Sequence, residues 1–228
     1  MTGRPIFKHL DVPTGAADGG VIPFEMQPIM RLADGRVTAY ELLYRGARPV
    51  DWTAVDAAVI HFLSEHRAGL SPLYVNLSND VLMAHRIESF AQAAAANNIT
   101  FELSESVSGH AERAAIAEKV NLLIGAGARV AVDDFGAGRD GLERLYAIRQ
   151  VAAVKIDREF LLTCMIRRDA RHVLSMLVAH WRREGMRSIA EGIETEAMFA
   201  FAQQVDVDEV QGWYVDSLIG MNLVGEGD

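Results

Sequence analysis

Residues 129–138 read RVAVDDFGAG, three apolar residues running into Asp133 and Asp134, with a glycine-rich turn behind them. The same design recurs in both directions along the chain. Val37–Tyr40 runs into Glu41, Leu73–Val75 into Asn76, and Ile99–Phe101 into Glu102. Downstream, Ala152–Ile156 carries Lys155 and stops at Asp157, Ser188–Ala190 runs into Glu191, and Glu209–Val210 into Gln211. Short apolar runs that each deliver a polar side chain at one end, separated by helical stretches, describe a β/α barrel with its site at the C-terminal rim. Carboxylates converging there repel one another unless cations lie between them, so the rim is expected to hold metal ions.

Two strand-like runs, Phe24–Ile29 and Val37–Leu42, precede the regular alternation, with only a turn around Ala33-Asp34-Gly35 between them. A parallel crossover needs a dozen or more residues, so this pair is antiparallel. The expected fold is therefore α/β, an irregular TIM-like (β/α)8 barrel with its first strand antiparallel. Helices are expected at 53–68, 79–96, 111–126, 140–149, 159–183 and 194–204. Strands are expected near 73–76, 99–103, 129–133, 152–156, 187–190 and 208–211. Gly69, Gly127 and Gly185 follow helical runs as C-terminal glycines do, and Asn97-Asn98 marks another stop. Residues 1–20, rich in Gly, Pro and Ala without a period, read as a loose leader. Residues 21–228 read as one domain, and Gly220 to Asp228 as a frayed tail.

With 228 residues, half of them apolar, the chain can close one core. A net charge of −9 argues against DNA or RNA duplexes as partners, because they are bound through basic surfaces. No apolar run approaches the ~20 residues of a membrane span, and 1–20 lacks a signal-peptide pattern. The single Cys164 has no disulfide partner within the chain, which fits a reducing cytoplasm. None of the seven histidines ends an expected strand, so a His-ligated zinc site is not expected. Asp157 reads as the cap of a helix starting at Arg158.

In order, the strand ends are Glu41-Leu42-Leu43, Val75-Asn76-Leu77-Ser78, Phe101-Glu102-Leu103-Ser104-Glu105, Asp133-Asp134-Phe135-Gly136-Ala137-Gly138, Lys155-Ile156-Asp157, Ala190-Glu191-Gly192-Ile193-Glu194 and Gln211-Gly212. Together they resemble the EAL domain, the family of bacterial cyclic di-GMP phosphodiesterases, from roughly Phe24 to Val215. Each motif alone is weak; seven in register are specific. The resemblance implies that Glu41, Asn76, Glu102 and Asp133 hold a first Mg²⁺ or Mn²⁺, and that Asp133 is shared with a second, which Asp134 also serves. It sets Glu191 near the attacking water, as ligand or as general base. Lys155 would position that water or stabilise charge on the phosphate, and Gln211 would orient water or metal. Gln27, Leu43 and Arg45 would hold the cyclic dinucleotide, with Arg45 on a phosphate. Glu105 and Glu194 would support the active-site loops. Trp213, beside Gln211, is placed to stack on guanine or to pack. A homodimer and a regulatory protein partner are also implied.

Elementary chemistry agrees with that set. All-oxygen ligands select hard cations, and two of them about 3.5–4 Å apart can bind phosphate oxygens and activate water, here opening cyclic di-GMP to linear pGpG. Three departures from the family stand out. Leu42 replaces an alanine, and its side chain is expected to pack behind the rim. Arg139, Asp140 and Gly141 replace an aromatic residue and two serines in the loop after Asp134. Val215-Asp216-Ser217-Leu218 lacks a Lys-Pro pair. The altered loop keeps alive a reading in which the domain binds the nucleotide or a protein without hydrolysing it. A further alternative is an unrelated metal-assisted barrel enzyme acting on another phosphate ester.

Overall fold

The computed structural model describes residues 8–14, 20–47, 51–66, 72–103, 110–138 and 141–225. Nine strands form one sheet in sequence order: β1 (Lys8–Pro13), β2 (Val21–Arg31), β3 (Val37–Tyr44), β4 (Leu73–Asn76), β5 (Ile99–Leu103), β6 (Arg129–Phe135), β7 (Ala153–Ile156), β8 (Arg187–Ala190) and β9 (Glu209–Val210). Strands β3 to β9 run parallel, while β2 is antiparallel to both its ring neighbours and closes the barrel by pairing Met30 with Val210. The eight-stranded ring with one antiparallel strand is the expected irregular barrel. Strand β1 lies outside it, paired with β2 from Lys8↔Met26 to Pro13↔Val21. It falls within the segment read as a leader; its six residues carry no alternation strong enough to announce a strand.

Alternation along each strand sorts the side chains into two cores. Outward-facing Met26, Leu42, Val75, Phe101, Val130, Val132, Val154 and Val210 are buried under the helices. Each such side chain contributes roughly 1.5–3 kcal/mol on burial. Leu42 is among them, so the departure from alanine falls behind the rim. Inward-facing Ile29, Ala39, Tyr74, Ala131, Ala153 and Ile189 form a small separate plug. The next inward residues, two positions on toward the rim, are Glu41, Asn76, Asp133, Lys155 and Glu191; antiparallel β2 contributes Gln27, two positions before Ile29. The plug thus forms an apolar floor for a polar layer.

The helices are α1 (Trp52–Glu65), α2 (Asn79–Ala84), α3 (Ile87–Asn97), α4 (His110–Gly125), α5 (Gly141–Ala147), α6 (Arg158–Ile166), α7 (Arg168–Arg183), α8 (Glu196–Gln204) and α9 (Trp213–Gly225). Asp157 caps α6 by accepting from the Phe160 N–H at 2.9 Å. Gly127 and Gly185 have positive φ after α4 and α7, and Asn98 takes φ +54° after α3. Gly69 lies outside the described residues.

Two expected helices are broken. Residues 79–96 split at His85-Arg86, and 159–183 split at Arg167, which takes an extended φ of −98°. Neither break carries Gly or Pro. In the second, apolar periodicity lapses instead: Leu161 and Cys164 are buried in α6 and Leu174, Val178 and Trp181 in α7, with arginines at 167, 168 and 171 between them. The expected frayed tail begins as helix, since α9 continues to Gly225. Among the described residues no helix is long and apolar enough to cross a membrane.

Candidate metal centre and nucleotide cleft

The centre of the polar layer is Lys155. Its Nζ lies 2.6 Å from Glu102, 2.7 Å from Glu191, 3.0 Å from Glu41 and 3.3 Å from Asp133. Strand β7 aims it into the barrel, and only 1% of the side chain is exposed. Burial alone would push its pKa down, but the surrounding carboxylates outweigh that and raise it well above the ordinary lysine value.

Four carboxylates around one ammonium are unequally compensated. Burial drives Glu102 well above the usual carboxylate range, with Glu41 adding to the effect, and burial likewise raises Glu191. Burial opposes ionisation of Glu41 too, yet Lys155 and the Gln211 amide hold it below its ordinary value. Neither oxygen of Glu102 accepts a well-directed hydrogen bond among the described residues, although one lies beside Nζ. Buried oxygens in that condition are costly unless a cation joins them.

Consecutive strand residues normally face opposite sides, yet Asp133 and Asp134 both reach the mouth. The β6–β7 register shifts between Val132 and Phe135, and Asp134 adopts φ +54°. This bulge turns the second carboxylate inward, and left-handed backbone is tolerated by Asp better than by most residues. Oxygens of Asp133, Asp134 and Glu191 lie within 4.8 Å of one another. Three carboxylates at that spacing, beside the buried carboxylate of Glu102, fit a hard divalent cation. Arg144 of α5 donates to the Leu103 carbonyl at 2.9 Å and to the Asp133 carbonyl, tying two carboxylate-bearing strands together.

A chain of amides completes the layer. Asn76 donates to Glu41 Oε1 at 3.3 Å. Gln211 Nε2 donates to Glu41 Oε2 at 2.5 Å and to Gln27 Oε1 at 2.9 Å. Gln27 Nε2 donates to Asp216 Oδ2 at 3.1 Å. Gly212 is what allows β9 to end here. Its φ is +143°, and a Cβ would sit 2.3 Å from the Ile193 backbone nitrogen.

The carboxylates open into a cleft of about 360 Å³ lined by Gln27, Leu43, Asp134, Glu191, Gly192 and Trp213, among others. Trp213 is 69% exposed, which places its face at the mouth rather than in the core. A second cleft of similar size shares Leu43 and is lined by Arg45, Trp52 and Asp56. Arg45 is paired with Glu25 at 2.6 Å and is not among the residues gathered around Lys155. Glu194 holds Arg158 at 2.8 Å, beneath the Gly192 turn. Glu105 and the substituted positions Arg139 and Asp140 lie outside the described residues.

Sequence reasoning did not single out Asp216, Glu25 or Arg144. Their partners are distant in sequence or are backbone carbonyls, which no local pattern announces. Asp216 had one signal, a carboxylate where the family pattern departs. Burial pushes it to about 6, above its ordinary 3.8. A folded-state pKa raised above the unfolded value means that stability is gained as pH falls through about 6 toward the ordinary value. Relative to Asp216→Asn, wild type is expected to gain on the order of 3 kcal/mol between about pH 7.5 and pH 4. Paired denaturation curves across that range check this, and a pH-independent difference would contradict it.

A sequence model described as the EAL domain matches residues 48–217. MucR of Pseudomonas aeruginosa, a bifunctional diguanylate cyclase/cyclic di-GMP phosphodiesterase, is 32% identical over 167 residues, 72% of this chain and 22% of that protein. An uncharacterised protein of Azorhizobium caulinodans is 30% identical over 182 residues, 76% of this chain and 24% of its own. The chain thus spans about a quarter of the length of these relatives. A standalone EAL protein from Vibrio cholerae, solved with c-di-GMP bound, superposes with a TM-score of 0.70 at 23% identity, covering 85% of this chain and 90% of that one. BlrP1 of Klebsiella pneumoniae, solved with manganese and the same dinucleotide, gives 0.68 at 23% identity over 91% and 58%. At these identities the two structures share the fold.

Proposed function

Because the chain belongs to the EAL domain family, we propose that it hydrolyses cyclic di-GMP to linear pGpG with divalent metal ions, Mg²⁺ or Mn²⁺. The observation that carries the reading is the convergence of Glu41, Glu102, Asp133 and Glu191 on one buried lysine, with Asp134 beside them. Glu41, Asn76, Glu102, Asp133 and Asp134 would hold two cations. When bound, these would supply Lewis-acid stabilisation of the phosphate and a more acidic water. Within the chain's own residues, Glu191 lies where it can take a proton or bind metal, and Lys155 offers a fixed cation in a closed site. Gln211 presents an amide to the same layer. Leu43, shared by the two clefts, and Arg45, beside one of them, suit a dinucleotide lying across both.

Chromatography of cyclic di-GMP incubated with purified protein and Mn²⁺ tests the reading. Linear pGpG from wild type and none from Glu41→Ala is the expected result; unchanged nucleotide overturns hydrolysis. Arg45→Ala is expected to raise KM about tenfold with little change in kcat, because a phosphate contact is made in ground and transition states alike. A defect confined to kcat would remove Arg45 from substrate binding.

A receptor that binds without turnover is the second reading. Lys155 favours it, since the ammonium already compensates part of the rim charge without a metal. Tight binding of intact nucleotide would select it. The same proposal sets the chain in the cytoplasm as a homodimer open to a regulatory protein. Exposed Leu142 and Tyr146 on α5 and Val173 and Met176 on α7 support a covered face, and Tyr146 lies 6.4 Å ring to ring from His180.

A further inference from the structure

We propose that Asp216 is a positioning residue that anchors the far end of the amide chain leading to Glu41. The inference rests on the reading of Glu41 as a metal ligand. Asp216 lies in the first turn of α9, where the helix N-terminus favours a negative charge. It is 5% exposed, and its Oδ1 has no hydrogen-bond partner among the described residues.

An ionised carboxylate only accepts hydrogen bonds. The group Gln27 turns toward Asp216 must therefore be its NH₂, as observed at 3.1 Å. That leaves Gln27 Oε1 facing Gln211, and an oxygen there demands the Gln211 NH₂, as observed at 2.9 Å. The same NH₂ meets Glu41 Oε2. Gln211 Oε1 is left buried without a partner among the described residues. Amides can face either way when their neighbours both donate and accept. Here a carboxylate at each end, Asp216 and Glu41, removes the choice at both glutamines. With Asp216 replaced by an apolar residue, Gln27 loses the acceptor that orients it. A reversed Gln27 would then set its NH₂ against that of Gln211 and disturb the amide that holds Glu41 in position.

The test separates acceptor from charge. Asp216→Leu removes both, while Asp216→Asn keeps an acceptor oxygen. Mn²⁺ alone is titrated into each metal-free protein near pH 8, following the free-ion paramagnetic resonance signal. Asp216→Leu is expected to raise the Kd about tenfold, and Asp216→Asn to stay within about twofold of wild type. Unchanged Mn²⁺ affinity in Asp216→Leu overturns the proposal. So does an Asn variant as weak as the Leu variant, which would mean that the residue acts by its charge. Should Asp216→Leu not fold, Gln27→Leu breaks the next link and is expected to give the same loss; wild-type affinity there overturns the chain. Nucleotide turnover is measured separately. A wild type that binds Mn²⁺ with this pattern but leaves cyclic di-GMP intact keeps the inference and removes the hydrolase, whereas a wild type that binds no Mn²⁺ removes both.

Discussion

Lys155→Met is expected to unfold at a temperature about 10 °C below wild type in the absence of divalent metal and to recover most of that loss when Mn²⁺ is added. In the structure one ammonium serves Glu41, Glu102, Asp133 and Glu191 at 2.6–3.3 Å. Removing one partner of a buried ion pair costs about 3–5 kcal/mol, because the other charge remains without compensation. Methionine preserves most of the volume, so a cavity contributes little. Added divalent ions then meet a more negative site with no ammonium among its ligands, and stabilisation by Mn²⁺ should exceed that of wild type. Turnover is expected to fall at least about a hundredfold at saturating metal, since a fixed cation in a closed site is lost. Calorimetry with and without Mn²⁺ checks the first part. A metal-free variant melting within a degree or two of wild type would mean that Lys155 does not hold the carboxylates together.

Glu41→Gln is expected to keep the fold and lose about a thousandfold or more in turnover. Glu41 accepts from Lys155, Gln211 and Asn76. An amide of the same shape keeps one acceptor oxygen, but its NH₂ meets another donor and its charge is gone. Glu41→Ala goes further, removing an acceptor from all three donors, so it should lose stability as well as activity. Linear pGpG formation and melting curves, measured on both variants, separate the two effects. Near-wild-type turnover in Glu41→Gln would take Glu41 out of the metal site.

The rim was legible in the sequence because a barrel writes it there. Each parallel strand is buried on both faces, so its acidic and amide residues gather toward the end, as Asn76, Glu102, Asp133 and Glu191 do. Lys155 was visible as a polar residue inside an apolar run, but its place at the centre of four carboxylates was not. That depends on the stagger between strands, which no single strand encodes. The antiparallel opening was forced by a connection too short for a crossover. The helix break at Arg167 was missed because it is made by a lapse in apolar spacing rather than by a breaker residue. Strand β1 was missed because a short edge strand needs only its neighbour's backbone. Asp216 was beyond local reading, since its partner Gln27 is 189 residues away.

That distance bears on when the site comes into being. Gln211 reaches Gln27 across 184 residues and Glu41 across 170, and Lys155 reaches Glu41 across 114. Contacts so far apart in sequence close late in folding, because loop-closure entropy opposes them until nearby structure has formed. During synthesis Glu41 therefore emerges early and waits, without Gln211, until β9 has left the ribosome. The polar layer is thus coupled to closure of the barrel: a chain halted before β9 carries most of the carboxylates yet lacks Gln211, the amide that joins Glu41 to Gln27.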